Sequence, residues 1–158
     1  MITTSFVLTD EQQTFELGTI VGAQASPGEI WNLSGDLGTG KTVFVQGFAK
    51  GLGFSGKVTS PTFALQNIYP CPTIILYHFD WYRLLTSDEV EALGWMEWIE
   101  KKGVILVEWG NKFKNLFPQR TLSVEFEMVS ENQRRLTFLA MDEEQSARIE
   151  ELMRCWPQ

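Results

Sequence analysis

The feature that most constrains the fold of this chain is an eight-residue segment at positions 35–42, GDLGTGKT. It matches the pattern G-x-x-x-x-G-K-[ST] at every defined position. Glycines let a backbone wrap closely around a polyphosphate, and the successive N–H groups of such a loop form an anion-binding nest. The lysine then reaches the β- and γ-phosphates, and the hydroxyl that follows it ligates Mg²⁺. The residues predicted to bind the nucleotide phosphates are Gly38, Thr39, Gly40, Lys41, Thr42 and Val43.

The segments on either side of this loop support the prediction. Residues 29–34 are typical of a strand, and residues 43–52 are typical of a helix that ends near Gly51 and Gly53. A strand, a glycine loop and a helix in this order are the context in which the motif binds phosphate. The order also places the loop at a helix N-terminus, where the helix dipole favours anions. An ordinary glycine-rich turn, the alternative, leaves this context unexplained.

The remaining hydrophobic periodicity predicts an α/β fold. One helix is expected from an N-cap at Thr9 to about Ser26, and another from a capping box at Thr86 towards Lys102. A continuous apolar run at 103–108 is typical of a central strand covered on both faces. The other predicted strands cover 4–8, 63–69, 73–79 and an antiparallel hairpin of 121–129 and 134–140, and a last helix covers 142–154. We therefore predict a single P-loop ATPase domain over residues 1–158, a three-layer sandwich with a mainly parallel central sheet and an added C-terminal antiparallel hairpin.

Composition restricts the cellular compartment and the kinds of partner that we expect. The net charge of −7 argues against broad, non-specific binding of nucleic acid, which requires a basic surface. No apolar run approaches the ~20 residues of a membrane span, and the N-terminal residues lack the basic and apolar regions of a secretory signal. The two cysteines, Cys71 and Cys155, do not imply a disulfide. We expect a cytoplasmic protein that does not contact a membrane.

Two carboxylates at the ends of predicted strands are the next candidates for chemistry. Glu108 ends the apolar run, where phosphate-loop nucleotidases place a carboxylate that holds Mg²⁺ directly or through water. Together with Thr42 it is the predicted metal site. Asp80 lies at the tip of another strand and is predicted to orient the attacking water or a Mg²⁺-bound water. The alternatives are a solvent-facing Glu108 and an Asp80 that only caps the following turn.

Three further residues leave their roles open. His78 is the only histidine, and a structural hydrogen bond is at least as good an explanation as catalysis. Arg83 either stabilises the transferred phosphate or pairs with a carboxylate. Thr62, in the segment Ser60-Pro61-Thr62, is predicted to be switch-like and to sense Mg²⁺ and the γ-phosphate, with a plain Ser-Pro turn as the alternative.

Other features bear on the base and on the surroundings of the nucleotide. Guanine-specific proteins commonly read the base with Asn-Lys-x-Asp, whereas this chain has Lys114 at the fourth position, which favours ATP over GTP. Trp81 and Trp109 directly follow the two candidate carboxylates, so we expect both rings near the nucleotide. Trp95 and Trp98, three apart on a predicted helix, belong to the core or to a partner-docking stripe.

Taken together, these motifs resemble one small family. They are the loop at 35–42, the segments Ser60-Pro61-Thr62-Phe63 and His78-Phe79-Asp80-Trp81-Tyr82-Arg83, and Val107-Glu108-Trp109. Their order and spacing over residues 4–140 resemble the bacterial TsaE (formerly YjeE) ATPases of tRNA threonylcarbamoyladenosine synthesis. Residues 142–158 carry no motif that matches.

The resemblance implies a cytoplasmic Mg²⁺-dependent ATPase with weak activity alone. Its cofactors would be ATP or ADP and Mg²⁺, and its partners the TsaB and TsaD subunits of the threonylcarbamoyl transferase complex, with tRNA contacted only indirectly. By motif position, Lys41 and Thr42 would bind phosphate and Mg²⁺, Glu108 would serve the metal, Asp80 would be the catalytic or metal-water carboxylate, and Thr62 would belong to the switch-like segment. The tRNA connection rests on the resemblance alone.

Two other functions remain open on the sequence. One is a small-molecule kinase in which the segment from His78 to Arg83 binds the acceptor. Such kinases usually close a basic lid over the phosphates, and the only adjacent arginines here are Arg134 and Arg135 in the predicted hairpin. The other is a non-catalytic switch that uses ATP only to control assembly.

Overall fold

The computed structural model describes residues 1–61 and 63–157. Helices and strands alternate along most of the chain, and a 3₁₀ segment at Gly110–Leu116 follows the fifth strand. The strands are β1 (Ile2–Leu8), β2 (Ile30–Ser34), β3 (Gln66–Pro70), β4 (Ile75–Asp80), β5 (Val104–Glu108), β6 (Leu122–Met128) and β7 (Arg134–Ala140). The helices are α1 (Glu11–Ala23), α2 (Lys41–Gly51), α3 (Ser87–Ala92), α4 (Trp95–Trp98) and α5 (Glu143–Met153).

The seven strands of the described residues belong to one sheet, in the order β1-β7-β6-β2-β5-β4-β3. The four central strands, β6, β2, β5 and β4, are parallel. The predicted β6–β7 hairpin is antiparallel and extends one side of this parallel centre. The sheet is less parallel overall than expected, because β1 adds to β7 and β3 adds to β4 in antiparallel orientation. The fold is therefore a mixed α/β sheet with a parallel centre.

Helices cover the sheet on both faces. The larger core lies between one face and helices α1, α2 and α5, and it includes Leu17, Phe48 and Leu152. The smaller core lies on the opposite face beneath α3, α4 and the 3₁₀ segment. Strand β5 is buried along its whole length, which confirms the prediction of a central strand covered on both sides. The side chains of β4 alternate between the two cores, since Leu76 packs in the larger core and Tyr77 and Phe79 pack in the smaller one.

Helices α1 and α2 approach each other so closely that their backbones are in contact. Each helix carries two glycines spaced four residues apart, Gly18 and Gly22 on α1 and Gly47 and Gly51 on α2. A methyl group on any of these four glycines would overlap a backbone atom of the other helix. The glycines are tolerated inside the helices, despite their low helix propensity, because only they permit this approach.

Several boundaries differ from the prediction. The first helix is capped by Asp10 rather than Thr9, and Gln13 provides the returning side-chain contact to the Thr9 N–H. The helix that opens with the predicted capping box at Thr86 stops at Ala92, because Gly94 adopts a left-handed conformation with φ of 80° and starts a separate turn of helix. Strand β3 begins at Gln66 and not at 63.

No helix in residues 1–61 or 63–157 has both the length and the apolar character needed to cross a membrane.

The close packing of α1 and α2 predicts that Gly47→Ala destabilises the protein. The added methyl would overlap the backbone carbonyl of Phe15, so the cost should lie in the upper part of the about 1–3 kcal/mol typical of overpacking, at about 2–3 kcal/mol, against the ~1 kcal/mol that alanine gains in helix propensity. Urea unfolding should show a net loss of about 1–2 kcal/mol. The matched control is Gln12→Ala on the exposed face of α1, which should change the free energy of unfolding by no more than about 0.5 kcal/mol. Equal stability of the Gly47→Ala variant and the wild type would contradict the packing described.

Candidate functional site

The predicted phosphate-binding and metal-binding residues meet at one edge of the sheet, together with Asp80. Strands β2, β4 and β5 are parallel neighbours, so their carboxyl ends lie side by side, with Asp80 opposite Glu108 and Glu108 opposite Leu33. A cavity of about 520 Å³ opens at this edge, next to the N-terminus of α2. Its size falls within the ~300–1,000 Å³ of typical small-molecule sites. The residues lining it include Gly38, Thr39, Gly40, Lys41, Thr42, Val43, Asp80 and Glu108.

The glycine loop has the backbone conformation that its sequence requires. Gly35, Gly38 and Gly40 all have positive φ angles, of 142°, 77° and 99°. Gly40 is the N-cap of α2, and it has no side chain to satisfy the first N–H groups of the helix. The loop therefore presents a helix N-terminus to the cavity, which is a general anion-binding arrangement.

Lys41 is buried in the loop and folds back over it. Its Nζ donates hydrogen bonds to the carbonyl oxygens of Gly35 and Asp36, the second at 2.8 Å. Burial lowers the pKa of the Lys41 ammonium, while the carboxylates of Glu108, Asp80 and Asp36 act in the opposite direction. An ammonium has three donors, so one remains for a group in the cavity.

Thr42, Glu108 and His78 form a chain of hydrogen bonds at the base of the cavity. The Thr42 hydroxyl lies 3.2 and 3.3 Å from the two carboxylate oxygens of Glu108. His78 is fully buried, and its Nε2 lies 2.6 Å from Glu108 Oε2. A carboxylate only accepts hydrogen bonds, so Nε2 is the donor and the imidazole holds Glu108 from behind. Of the two alternatives for His78, the structure shows the structural hydrogen bond. Its partner is Glu108, which is a candidate metal ligand.

Asp80 lies beside this chain and is almost fully buried. Its Oδ1 accepts from the backbone N–H of Tyr82 at 2.8 Å, and its Oδ2 accepts from the Ser60 hydroxyl at 3.1 Å. The first contact is the turn cap considered as the alternative for Asp80. Asp80 also lines the cavity, so the same residue caps the turn and belongs to the candidate site.

The two tryptophans that follow the carboxylates differ in position. Trp109 lines the cavity, with its ring 4.4 Å from Lys41 Nζ and 4.8 Å from the Tyr82 ring. The expectation for Trp81 is wrong, because its ring is fully buried in the smaller core against Trp95. The strand alternation explains the difference: Trp81 continues the Tyr77 and Phe79 face of β4. Trp95 and Trp98 pack in this core as well.

Three candidates lie outside the cavity or outside the described residues. Arg83 does not line the cavity and instead lies over the exposed ring of Phe63, 5.0 Å from its centre. Thr62 lies outside the described residues, so its switch role stays a prediction. Lys114 is exposed and away from the cavity, so the preference for adenine also stays a prediction.

The cavity contains residues that sequence reasoning missed. They come from the start of α1 and from the β6–β7 turn, and they are Glu11, Thr14, Glu131, Asn132 and Arg134. None belongs to a motif, and the turn is adjacent to the loop only because β6 pairs with β2. The sequence contained one signal that Arg134 is not an ordinary surface residue. Side chains alternate along β7, and Arg134 shares a face with the apolar Leu136 and Phe138.

A mixed α/β sheet with a glycine loop, a lysine, a hydroxyl and two strand-end carboxylates in one cavity describes a protein with a candidate phosphate-binding site. The family model described as "Threonylcarbamoyl adenosine biosynthesis protein TsaE" matches residues 8–136. The chain therefore belongs to the TsaE family of tRNA threonylcarbamoyladenosine biosynthesis, and the family assignment made from the motifs is confirmed.

Individual relatives agree with this assignment. The tRNA threonylcarbamoyladenosine biosynthesis protein TsaE of Bacillus subtilis is 38% identical over 143 residues, which cover 90% of this chain and 89% of that protein. The protein of the same name from Treponema pallidum is 36% identical over 80% of this chain and 93% of its own length. The crystal structure of Bacillus subtilis YdiB superposes with a TM-score of 0.81 and 32% identity, covering 97% of this chain and 95% of that one.

The buried contact between His78 and Glu108 predicts that His78→Leu destabilises the protein. The substitution removes a donor from a buried carboxylate, and an unsatisfied buried group costs about 1–3 kcal/mol. Urea unfolding should show a loss of about 2 kcal/mol. His78→Gln keeps an N–H donor and should lose less than the leucine variant. If the leucine variant were as stable as wild type, the hydrogen bond would not contribute as described.

Proposed function

We propose that the protein binds Mg²⁺–ATP in the cavity and hydrolyses it to ADP and phosphate, and that this reaction serves the tRNA threonylcarbamoyladenosine biosynthesis of its family. The observation that carries the proposal is the contact of Thr42 with Glu108 beside the glycine loop. It brings a hydroxyl and a carboxylate, both hard oxygen ligands, to the place where the phosphates would lie.

The spacing of these ligands suits Mg²⁺. Octahedral ligands at about 2.0–2.1 Å from Mg²⁺ lie about 3 Å from their neighbours. Thr42 Oγ1 and the Glu108 oxygens are 3.2 and 3.3 Å apart. Within residues 1–61 and 63–157 no group of three or more His, Cys, Asp and Glu residues is arranged to hold a metal. That is consistent with Mg²⁺, which usually takes its other ligands from water and substrate phosphates.

The charges of the cavity are a second reason to expect a bound cation. In the described lining, acidic side chains outnumber basic ones, with Glu11, Asp80, Glu108 and Glu131 against Lys41 and Arg134. A free triphosphate would meet net negative charge there, and a bound divalent cation offsets the repulsion. We therefore expect nucleotide binding to depend on Mg²⁺.

In this proposal each residue has a distinct task. The loop N–H groups bind the phosphates in the ground state, and the remaining Lys41 donor binds the β- and γ-phosphates and stabilises the charge that develops during transfer. Thr42 and Glu108 would hold Mg²⁺, which when bound neutralises phosphate charge. His78 keeps Glu108 in place. Asp80 would accept a hydrogen bond from the attacking water, since its carboxylate faces the same cavity.

The partners belong to the proposal and rest on family membership. We expect the TsaB and TsaD subunits of the threonylcarbamoyl transferase complex to bind this protein in the cytoplasm and to complete the site. Weak hydrolysis by the isolated chain follows, because a partner would supply the missing groups. The net charge of −7 favours indirect rather than direct contact with tRNA.

Release of phosphate from ATP tests the function. Wild-type protein with Mg²⁺ should release phosphate at a rate far below the ~10 s⁻¹ of a typical enzyme, and chelation of Mg²⁺ should abolish the release. Glu108→Gln should lower the rate at least about tenfold, because an amide is a poorer metal ligand than a carboxylate. The control is Glu97→Gln, an exposed position on α4 outside the cavity. Release that does not require Mg²⁺ would contradict the proposal, and transfer of phosphate to a metabolite would favour the kinase.

The same assay with TsaB and TsaD added tests the partners. Phosphate release should rise when both subunits are present and should stay low with either variant Asp80→Asn or Glu108→Gln. If these variants lost hydrolysis but still supported tRNA modification at the wild-type level, ATP would act only as an assembly switch.

Intrinsic fluorescence tests where the nucleotide binds. Because the Trp109 ring lines the cavity and the Trp81 ring does not, Mg²⁺–ATP should change the emission of Trp109 alone. Trp109→Phe should remove the response and Trp81→Phe should retain it. Lys41→Ala should abolish the response at the same nucleotide concentration. A response that is lost with Trp81→Phe but kept with Trp109→Phe would place the nucleotide elsewhere.

A further inference from the structure

The β6–β7 hairpin brings an arginine to the outer side of the glycine loop. Side chains alternate along a strand, so Arg134 shares the face of Leu136 and Phe138, which is covered by α1 and α2. Arg135 points to the opposite face and makes an exposed ion pair with Glu127. Two adjacent arginines thus have different surroundings, and only Arg134 lines the cavity.

The contacts of Arg134 join the hairpin to the loop. Its Nη1 donates to the carbonyl oxygens of Ser130, Glu131 and Gln133 at 2.9–3.1 Å. Its Nη2 donates to the carbonyl oxygen of Gly38 at 3.1 Å. The guanidinium is planar and rigid, so anchoring one nitrogen in the hairpin turn defines the position of the other.

Gly38 lies in the part of the loop that packing holds only weakly. It is exposed, its φ is 77°, and no atom of the described residues lies within 4 Å of where a Cβ would be. Its neighbour Thr39 is buried, and the Thr39 hydroxyl donates to Asp36 O at 2.6 Å. The peptide between Gly38 and Thr39 is therefore held from its Thr39 side by a buried side chain and from its Gly38 side by the hydrogen bond from Arg134.

The orientation of this peptide matters for phosphate binding. In a planar trans peptide the C=O and the following N–H point in opposite directions. Drawing the Gly38 carbonyl outward to Arg134 turns the Thr39 N–H away from the hairpin and into the loop. This N–H donates to no acceptor in the described part of the protein, so it remains available to an anion.

We propose that Arg134 is a positioning residue of the phosphate loop: it locks the Gly38–Thr39 peptide with the Thr39 N–H directed at the bound phosphates. The inference rests on the proposed function, since it names a determinant of nucleotide affinity at the same site. Arg134 acts through Gly38, so its removal affects binding and not the chemical step.

Calorimetric titration with Mg²⁺–ADP tests the inference. Arg134→Ala should weaken binding about tenfold, the effect of losing a hydrogen bond to a charged group. Arg135→Ala, the matched control, should bind within about twofold of wild type, because its ion pair is exposed. Arg134→Lys keeps the charge but lacks the two rigidly spaced nitrogens that join the turn to Gly38, so it should resemble the alanine variant.

Kinetics and spectra separate positioning from a general structural role. With ATP, Arg134→Ala should raise KM about tenfold and leave kcat within about twofold of wild type. The Thr39 amide resonance should shift in Arg134→Ala and Arg134→Gln but not in Arg135→Ala. Wild-type affinity in the Arg134→Ala variant would overturn the inference and leave the proposed function standing. Absence of Mg²⁺–ADP binding to wild-type protein would overturn the proposed function and the inference with it.

Discussion

The parallel pairing of β2, β4 and β5 is the constraint on which the candidate site depends. Parallel neighbours bring their carboxyl ends to one edge of a sheet, so a register that sets Asp80 beside Glu108 and Glu108 beside Leu33 also sets the glycine loop beside both carboxylates. Residues that are 66 apart in sequence, Thr42 and Glu108, come within hydrogen-bond distance for this reason. A shift of one residue in the register would turn Glu108 to the other face of the sheet.

The close contact of α1 and α2 fixes the position of Lys41 and Thr42 in the site. Because glycines on both helices let the two backbones touch, α2 is held close to α1 along most of its length. The N-terminus of α2, which carries Lys41 and Thr42, is thereby held over the end of β2. The stability of the core and the geometry of the loop are linked, since the same backbone contact serves both.

The sequence predicted the motifs and most elements well, because these depend on local patterns. The loop, the buried strand β5, the β6–β7 hairpin and the two faces of β4 all follow from spacing and periodicity. What could not be predicted depends on the order of strands in the sheet. The approach of Arg134 to the loop requires knowing that β6 lies next to β2, and the burial of Trp81 requires knowing that the smaller core lies beneath α3 and α4. An isolated glycine such as Gly94 ends a helix only where the fold requires the chain to turn.

The position of β1 has a consequence for how the chain folds. This first strand pairs with β7, and Ile2 lies opposite Ala140 near the other end of the sequence. During synthesis β1 leaves the ribosome long before β7, the strand with which it pairs, exists. The side of the sheet formed by β1, β7 and β6 is therefore completed last, and until then the strand remains an unpaired edge that other chains can contact. Non-local pairing of this kind slows folding, because the entropy of closing a long loop is lost before any contact compensates for that loss.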